Sequence, residues 1–258
     1  MIDIHTHLLP GVDDGSRSIE ASVGVLERFA RDGVEILVCT PHLDASDAHE
    51  APHERNAGLL AALEAAAPAK PELRLGFEIL LDAPGVDLSD QRLGLAGSTA
   101  RLVEFARMGL PPAAAKEFMR IRMDGLVPVV AHPERYYGCS ADLVESWRSA
   151  GAVIQMDVTA ILGPKRMHRF GEELLARGLV DLFASDTHVD KRSLAAARQW
   201  LTEVADADVA NLLTRDNPRR LLEDQDVLPV PPIKLQLGMI RRLRELVLGP
   251  ASSSSSSE

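Results

Sequence analysis

Met1-Ile-Asp-Ile-His-Thr-His-Leu-Leu9 opens the chain, and its reading decides the fold. Asp3, His5 and His7 recur at every second position, which in a strand sets all three on one face. The rest of the run is apolar, as in a strand covered on both sides. Six more short apolar runs follow, at residues 35–39, 73–81, 101–105, 127–131, 152–158 and 180–184. Helix candidates separate them, at 18–32, 52–67, 111–124, 140–150, 165–177 and 193–205, with Pro or Ser near most starts. In the first, Ile19, Val23, Leu26 and Ala30 form one stripe. Strand and helix alternate about every 30 residues, which predicts right-handed parallel crossovers. Seven such units favour an α/β barrel, closed or nearly so, while spacing alone leaves an open doubly wound sheet possible. Helical segments at 206–215 and 217–222 end the regular pattern. Residues 1–224 are thus expected to form one barrel domain. Residues 225–258 read as a linker, an amphipathic helix at 233–248 bearing Arg241, Arg242 and Arg244, and a disordered Ser-rich tail.

Ligand-type side chains sit at or just past almost every expected strand end. The first strand supplies His5 and His7, the second His42, the third Glu78, the fourth Glu104, the fifth His132, and the seventh Asp186 and His188. In parallel α/β architectures those ends converge on one mouth. A single histidine in an apolar run is as readily a core residue as a ligand, and His132 alone would not decide the matter. Glu78 and Glu104 carry more weight, because a glutamate inside an apolar strand is costly unless paired, protonated or bound to a cation. With Asp14 the candidates number nine. Histidine and carboxylate without thiolate suit Mn2+, Fe or Zn2+, and nine ligands are enough for two or three ions. Such centres make water nucleophilic near neutral pH, so hydrolysis of phosphate esters is the favoured reaction class. Ligand types alone leave redox use of iron open.

Composition and motif searches remove competitors. The formal charge is −10, and two Trp, two Tyr and six Phe offer little base stacking, so nucleic acid is a poor partner. Cys39 and Cys139 are too few for a disulfide framework. Neither begins the C-x5-R of cysteine phosphatases, since Ala45 and Glu145 stand where arginine is required. Nucleophile-elbow, phosphate-loop and dinucleotide fingerprints are missing from the sequence. With no apolar run long enough to span a bilayer and no leader pattern before His5, a reduced cytoplasmic protein is expected. His49 and His53 read as loop residues and His168 as solvated on a polar helix face. Asp157, on the sixth strand, points either to the mouth or to the helices.

The sequence resembles the PHP (polymerase and histidinol phosphatase) superfamily, within it the bacterial tyrosine-protein phosphatases of capsule and exopolysaccharide loci. The segments that carry the resemblance are Asp3-Ile-His-Thr-His through Asp13-Asp14-Gly15, Thr40-Pro-His42, Glu78-Ile79, Glu104-Phe105, His132-Pro-Glu-Arg135 and Ser185-Asp-Thr-His188. The resemblance implies a distorted seven-stranded (βα)7 barrel with a three-metal site, usually supported by Mn2+. It assigns His5, His7, Glu78 and Asp186 to one ion, Glu78, Glu104 and His132 to a second, and Asp14, His42 and His188 to a third. Arg135 would grip the phosphate. Arg192 is the candidate for the family's second arginine, in a stretch that departs from the usual Arg-Pro-Pro pattern. On that site a metal-bound hydroxide is expected to attack phosphotyrosine with no phosphoenzyme. The implied partner is the tail of a membrane-bound bacterial tyrosine kinase that controls polysaccharide export. Another phosphoesterase of the superfamily, acting on histidinol phosphate, a small phosphoester or a nucleotide, is the alternative.

Overall fold

A computed structural model describes residues 1–162 and 165–233. Its elements run β1 (Ile2–Thr6), α1 (Ile19–Arg31), β2 (Ile36–Cys39), β3 (His42–Asp44), α2 (His53–Ala66), β4 (Glu72–Leu75), β5 (Glu78–Leu80), β6 (Ala100–Glu104), α3 (Ala114–Met123), β7 (Val127–Ala131), α4 (Ala141–Ser149), β8 (Val153–Asp157), α5 (Thr159–Leu162), α6 (Lys165–Ala176), β9 (Leu182–Ala184), α7 (Leu194–Val204), α8 (Ala207–Asn211) and α9 (Asn217–Leu222). The expected amphipathic helix at 233–248 and the Ser-rich tail lie outside the described residues, apart from Ile233 itself. Among the described residues no helix is long and apolar enough to cross a membrane.

Every strand pairing is parallel, as the alternation of runs and helices requires. The strands form two sheets, β1-β2-β4 and β3-β5-β6-β7-β8-β9, rather than one continuous seven-stranded ladder. Among the described residues one isolated bridge, Thr6 to Thr187, links them. The second expected strand ends at Cys39 as expected and a further short strand follows it, while the run 73–81 is interrupted. After Cys39, Pro41 has no N–H to donate, and the chain resumes as β3 beside β5. The run 73–81 breaks at Gly76, where a Cβ would lie 3.0 Å from the Leu95 side chain and 3.2 Å from its Cα. A turn around Leu95 thus packs against the gap.

Alternating side chains fill two apolar layers. Ile2, Ile4, Ile36, Val38, Ala100, Leu102, Val129, Ala131, Val153, Leu182 and Ala184 face one another between the strands. Leu37, Cys39, Val103, Val130, Ile154, Met156 and Phe183 face the helices, against Leu26, Phe29, Phe118 and Trp147. On α1 the fully buried stripe is Ser22, Val25, Leu26 and Phe29. It is rotated from the expected one because Phe29 brings more apolar surface to the core than Ala30. Ser18, Ser140, Ser193 and Asp206 cap their helices by accepting backbone N–H bonds. His168 is buried, not solvated: α6 turns it inward.

Candidate metal centre

Three departures from regular backbone aim the ligand-type residues inward. The pairing of β1 with β2 slips between Asp3 and Thr6. An extra residue in a strand reverses which face the following side chains occupy. Ile2 and Ile4 therefore lie in the inner apolar layer, and His5 and His7 also face inward. Asp3, expected beside them, instead accepts the N–H groups of Ser185 at 3.0 Å and His5 at 3.4 Å. At the ends of β7 and β9, His132 (φ 35°) and Asp186 (φ 47°) adopt left-handed backbone, which few residues other than glycine tolerate. Gly15 allows the Asp13-Asp14 turn to close on His7, since a Cβ there would sit 2.2 Å from the His7 carbonyl oxygen.

All nine candidate ligands meet at this mouth, in overlapping groups: His7, Asp14, His42 and His188; His5, Glu78 and His132; His5, His7 and Asp186; His42, Glu78 and Glu104. His5 Nε2 lies 3.2 Å from His7 Nε2 and 3.3 Å from both Glu78 Oε2 and Asp186 Oδ1. His7 Nε2 lies 3.2 Å and 3.1 Å from the same two oxygens. His132 Nε2 approaches Glu78 Oε1 at 2.8 Å and Glu104 Oε2 at 3.9 Å. His42 Nδ1 lies 3.0 Å from Glu78 Oε2 and 3.4 Å from Glu104 Oε1. Asp14 Oδ1 is 3.4 Å from His42 Nε2 and 3.2 Å from His188 Nε2.

These distances fit shared cations. Two ligand atoms about 2.1 Å from one ion, at octahedral or tetrahedral angles, lie about 3.0–3.4 Å apart. The outer hydrogen bonds agree. His5 Nδ1 faces the Gln155 Oε1 acceptor at 3.0 Å, and His7 Nδ1 faces the Asp13 carboxylate at 2.8 Å. Each Nδ1 therefore carries the proton and donates it, leaving both Nε2 lone pairs turned on one another and on two carboxylate oxygens. Asp186 Oδ1 is buried with no hydrogen-bond donor. A cluster of acceptors without donors is what a positive ion would satisfy.

The electrostatics have the same origin. Burial works against charge on His5 and His7, yet the carboxylates of Glu78, Asp186 and, for His7, Asp13 outweigh it and raise both imidazoles above the ordinary value. Burial likewise opposes charge on Glu78 and Asp186, but His5 and its neighbours hold both carboxyls well below the usual range. Burial lowers His132 and His188, keeping them neutral and fit to ligate. In a metal-free molecule protons take the place of cations at this cluster.

Both candidate arginines reach the cluster. Arg135 contacts Asp157 and Asp186, and Arg192 Nη1 lies 2.8 Å from Asp186 Oδ2. Sequence reasoning did not identify Asp13 and Gln155, which orient His7 and His5, and it left Asp157 open. Asp157 is fully buried and faces the arginines. The signal for Gln155 and Asp157 was present as polar residues in an apolar run; their partners were not readable.

Comparisons with known proteins place the chain in a family. Residues 1–223 match the family model described as "Capsular polysaccharide synthesis, CpsB/CapC". The tyrosine-protein phosphatase CpsB of Streptococcus pneumoniae is 30% identical over 245 residues, covering 87% of this chain and 99% of its own length. The tyrosine-protein phosphatase YwqE of Bacillus subtilis is 27% identical over 247 residues, covering 90% of this chain and 95% of its own. A crystal structure from work on YwqE and CpsB, described there as unique metal-dependent tyrosine phosphatases, superposes with a TM-score of 0.74 at 26% identity, covering 91% of this chain and all of that one. The chain therefore belongs to the CpsB/CapC family of capsular polysaccharide synthesis.

Proposed function

We propose that the chain is a metal-dependent protein-tyrosine phosphatase whose active site is the nine-residue mouth with its two arginines. The observation that carries this reading is the convergence of His5, His7, Glu78 and Asp186 as four mutually facing acceptors with Arg135 and Arg192 alongside. Residues 1–224 form the catalytic unit, read as a distorted (βα)7 barrel in which β2 with β3, and β4 with β5, each count as one broken strand. Residues 225–233 pack against it, with Leu228 bonded to Asn217 and Val230 and Ile233 buried.

His5, His7, Glu78 and Asp186 would hold one cation, Glu78, Glu104 and His132 a second, and Asp14, His42 and His188 a third; the family resemblance implies Mn2+, and Fe or Zn2+ suit the same nitrogen and oxygen donors. Bound there, the ions would supply positive charge to the phosphate oxygens and make water nucleophilic near neutral pH. Glu78 would serve both of the first two positions, its Oε2 beside His5 and His7 and its Oε1 beside His132. Gln155 and Asp13 fix the ring orientations of His5 and His7, so the centre is set before substrate arrives. Arg135 presents a planar fork to the non-bridging oxygens of the phosphate, and Arg192 lends a second cation. The tyrosyl leaving group departs as a phenolate, which needs little help from a general acid.

A thiolate mechanism is out of reach. Burial pushes the thiols of Cys39 and Cys139 up to about 12, so neither ionises near neutral pH. The physiological substrate in this reading is a tyrosine-phosphorylated protein of the polysaccharide-export machinery, the tail of a bacterial tyrosine kinase, met in the cytoplasm. Phosphate release from a phosphotyrosine peptide, histidinol phosphate and a nucleotide, each with Mn2+, Fe2+ or Zn2+ and after chelation, tests the assignment. Preference for the peptide and loss on chelation support it. Preference for histidinol phosphate or the nucleotide would move the chain to the wider phosphoesterase class.

A further inference from the structure

We propose that Asp157 is a positioning residue that holds Arg135 and Arg192 together as one phosphate clamp, an inference that rests on the phosphatase reading above. Arg135 follows β7, Asp157 ends β8 and Arg192 follows β9, so the carboxylate stands on the strand between the two arginines. Asp157 is fully buried. Its Oδ2 contacts Arg135 Nη2 and lies 3.7 Å from Arg192 Nη1. The carboxylate is itself anchored: Oδ1 accepts the Thr159 N–H at 2.6 Å, and the Asp157 N–H donates to Glu134 Oε1 at 2.9 Å.

Two guanidinium groups converging on one oxygen repel each other, and the repulsion is strong where water is scarce. Asp186 also touches both, through Oδ2, but its Oδ1 is turned toward His5 and His7 and belongs to the cation cluster. Asp157 belongs to none of the ligand groups. It is therefore the carboxylate free to keep the arginines close when phosphate enters and Asp186 is engaged with cations. A buried counter-ion with no further role would matter for folding alone; a positioning residue matters for phosphate.

Asp157→Asn preserves shape and the Thr159 acceptor while removing the charge. In the Mn2+-loaded protein, calorimetric titration with inorganic phosphate is expected to show affinity about tenfold weaker, matched by a similar rise in KM for an aryl phosphate. Turnover at saturation should change by less than about threefold, with bound metal and thermal midpoint close to wild type. Combined with Arg135→Ala, the loss should be less than additive, because both changes remove the same interaction. Asp157→Glu, which keeps the charge, should recover part of the phosphate affinity. If Asp157→Asn does not fold, Asp157→Glu against wild type carries the test through the same split between KM and turnover. Unchanged phosphate affinity, full additivity with Arg135→Ala, or activity lost in step with bound metal would overturn the proposal. Wild-type protein that binds phosphate but hydrolyses no aryl phosphate would instead sink the functional reading.

Discussion

The two ends of the strand assembly contain the same kinds of polar residues and treat them in opposite ways. Where the strands begin, Asp181 takes Arg148 at 2.7 Å and the Ile154 N–H at 2.8 Å. Asn217 donates to the carbonyls of Asp181 and Leu228 at 2.8 and 2.9 Å and accepts the Leu228 N–H at 2.8 Å. Asp224 accepts both the N–H and the hydroxyl of Thr99. Donors meet acceptors throughout. A cavity of about 540 Å³ lies at this end, lined by Thr99, Arg148, Asp181 and Asp224, so volume does not mark the chemistry. Where the strands finish, acceptors face acceptors around His5, His7, Glu78 and Asp186. Polar groups that satisfy one another hold a fold together, whereas buried acceptors left facing one another await a ligand.

The contrast can be broken at its strongest point by His132→Ala. Phosphate release should fall by more than about a hundredfold, beyond the usual cost of losing an outer partner of a metal ligand. The thermal midpoint of the metal-free protein should barely move, because that end contributes function rather than stability. A destabilised but active variant would reverse the comparison. Asp181→Ala is the complementary change. It strands the Ile154 N–H and removes the carboxylate partner of Arg148, which keeps its bond to the Gly178 carbonyl, and should cost about 2 kcal/mol in denaturant unfolding while turnover per folded molecule stays near wild type.

The smallest expected effect is one of pH. Burial pushes the Glu134 carboxyl up to about 8 from the ordinary glutamate value of 4.5. Between those values the folded chain keeps a proton that the unfolded chain has released, so stability falls as pH rises through this window and the fall ends above it. Glu134→Gln, neutral at every pH, should flatten that part of the curve of thermal midpoint against pH in metal-free protein. An identical slope in the variant would place the proton on another group.

How much of this was legible in the sequence follows from the same physics. Glu78 and Glu104 stood out because a carboxylate in an apolar run has no cheap explanation, and His5, His7 and Asp186 because their spacing repeats at strand ends. Helices α2 and α4 and strand β7 lie within a residue or so of their expected limits, since Pro52, the Ser140 cap and the apolar run 127–131 are local signals. Asp3 was misplaced because the slip in β1 depends on how it pairs with β2. The break at Gly76 depends on Leu95, distant in sequence, and the orienting contacts of Gln155 and Asp157 on strands that meet only in the folded chain. Local signals revealed which residues matter; the partners that aim them are long-range.

The most direct test counts divalent ions on the folded chain. Protein loaded with Mn2+ and freed of excess should carry about two or three ions per chain by elemental analysis. Glu78→Gln, which touches two ion positions, should lower that number and abolish phosphate release from a phosphotyrosine peptide. Chelated protein holding almost no metal yet hydrolysing the peptide at the wild-type rate would contradict the account.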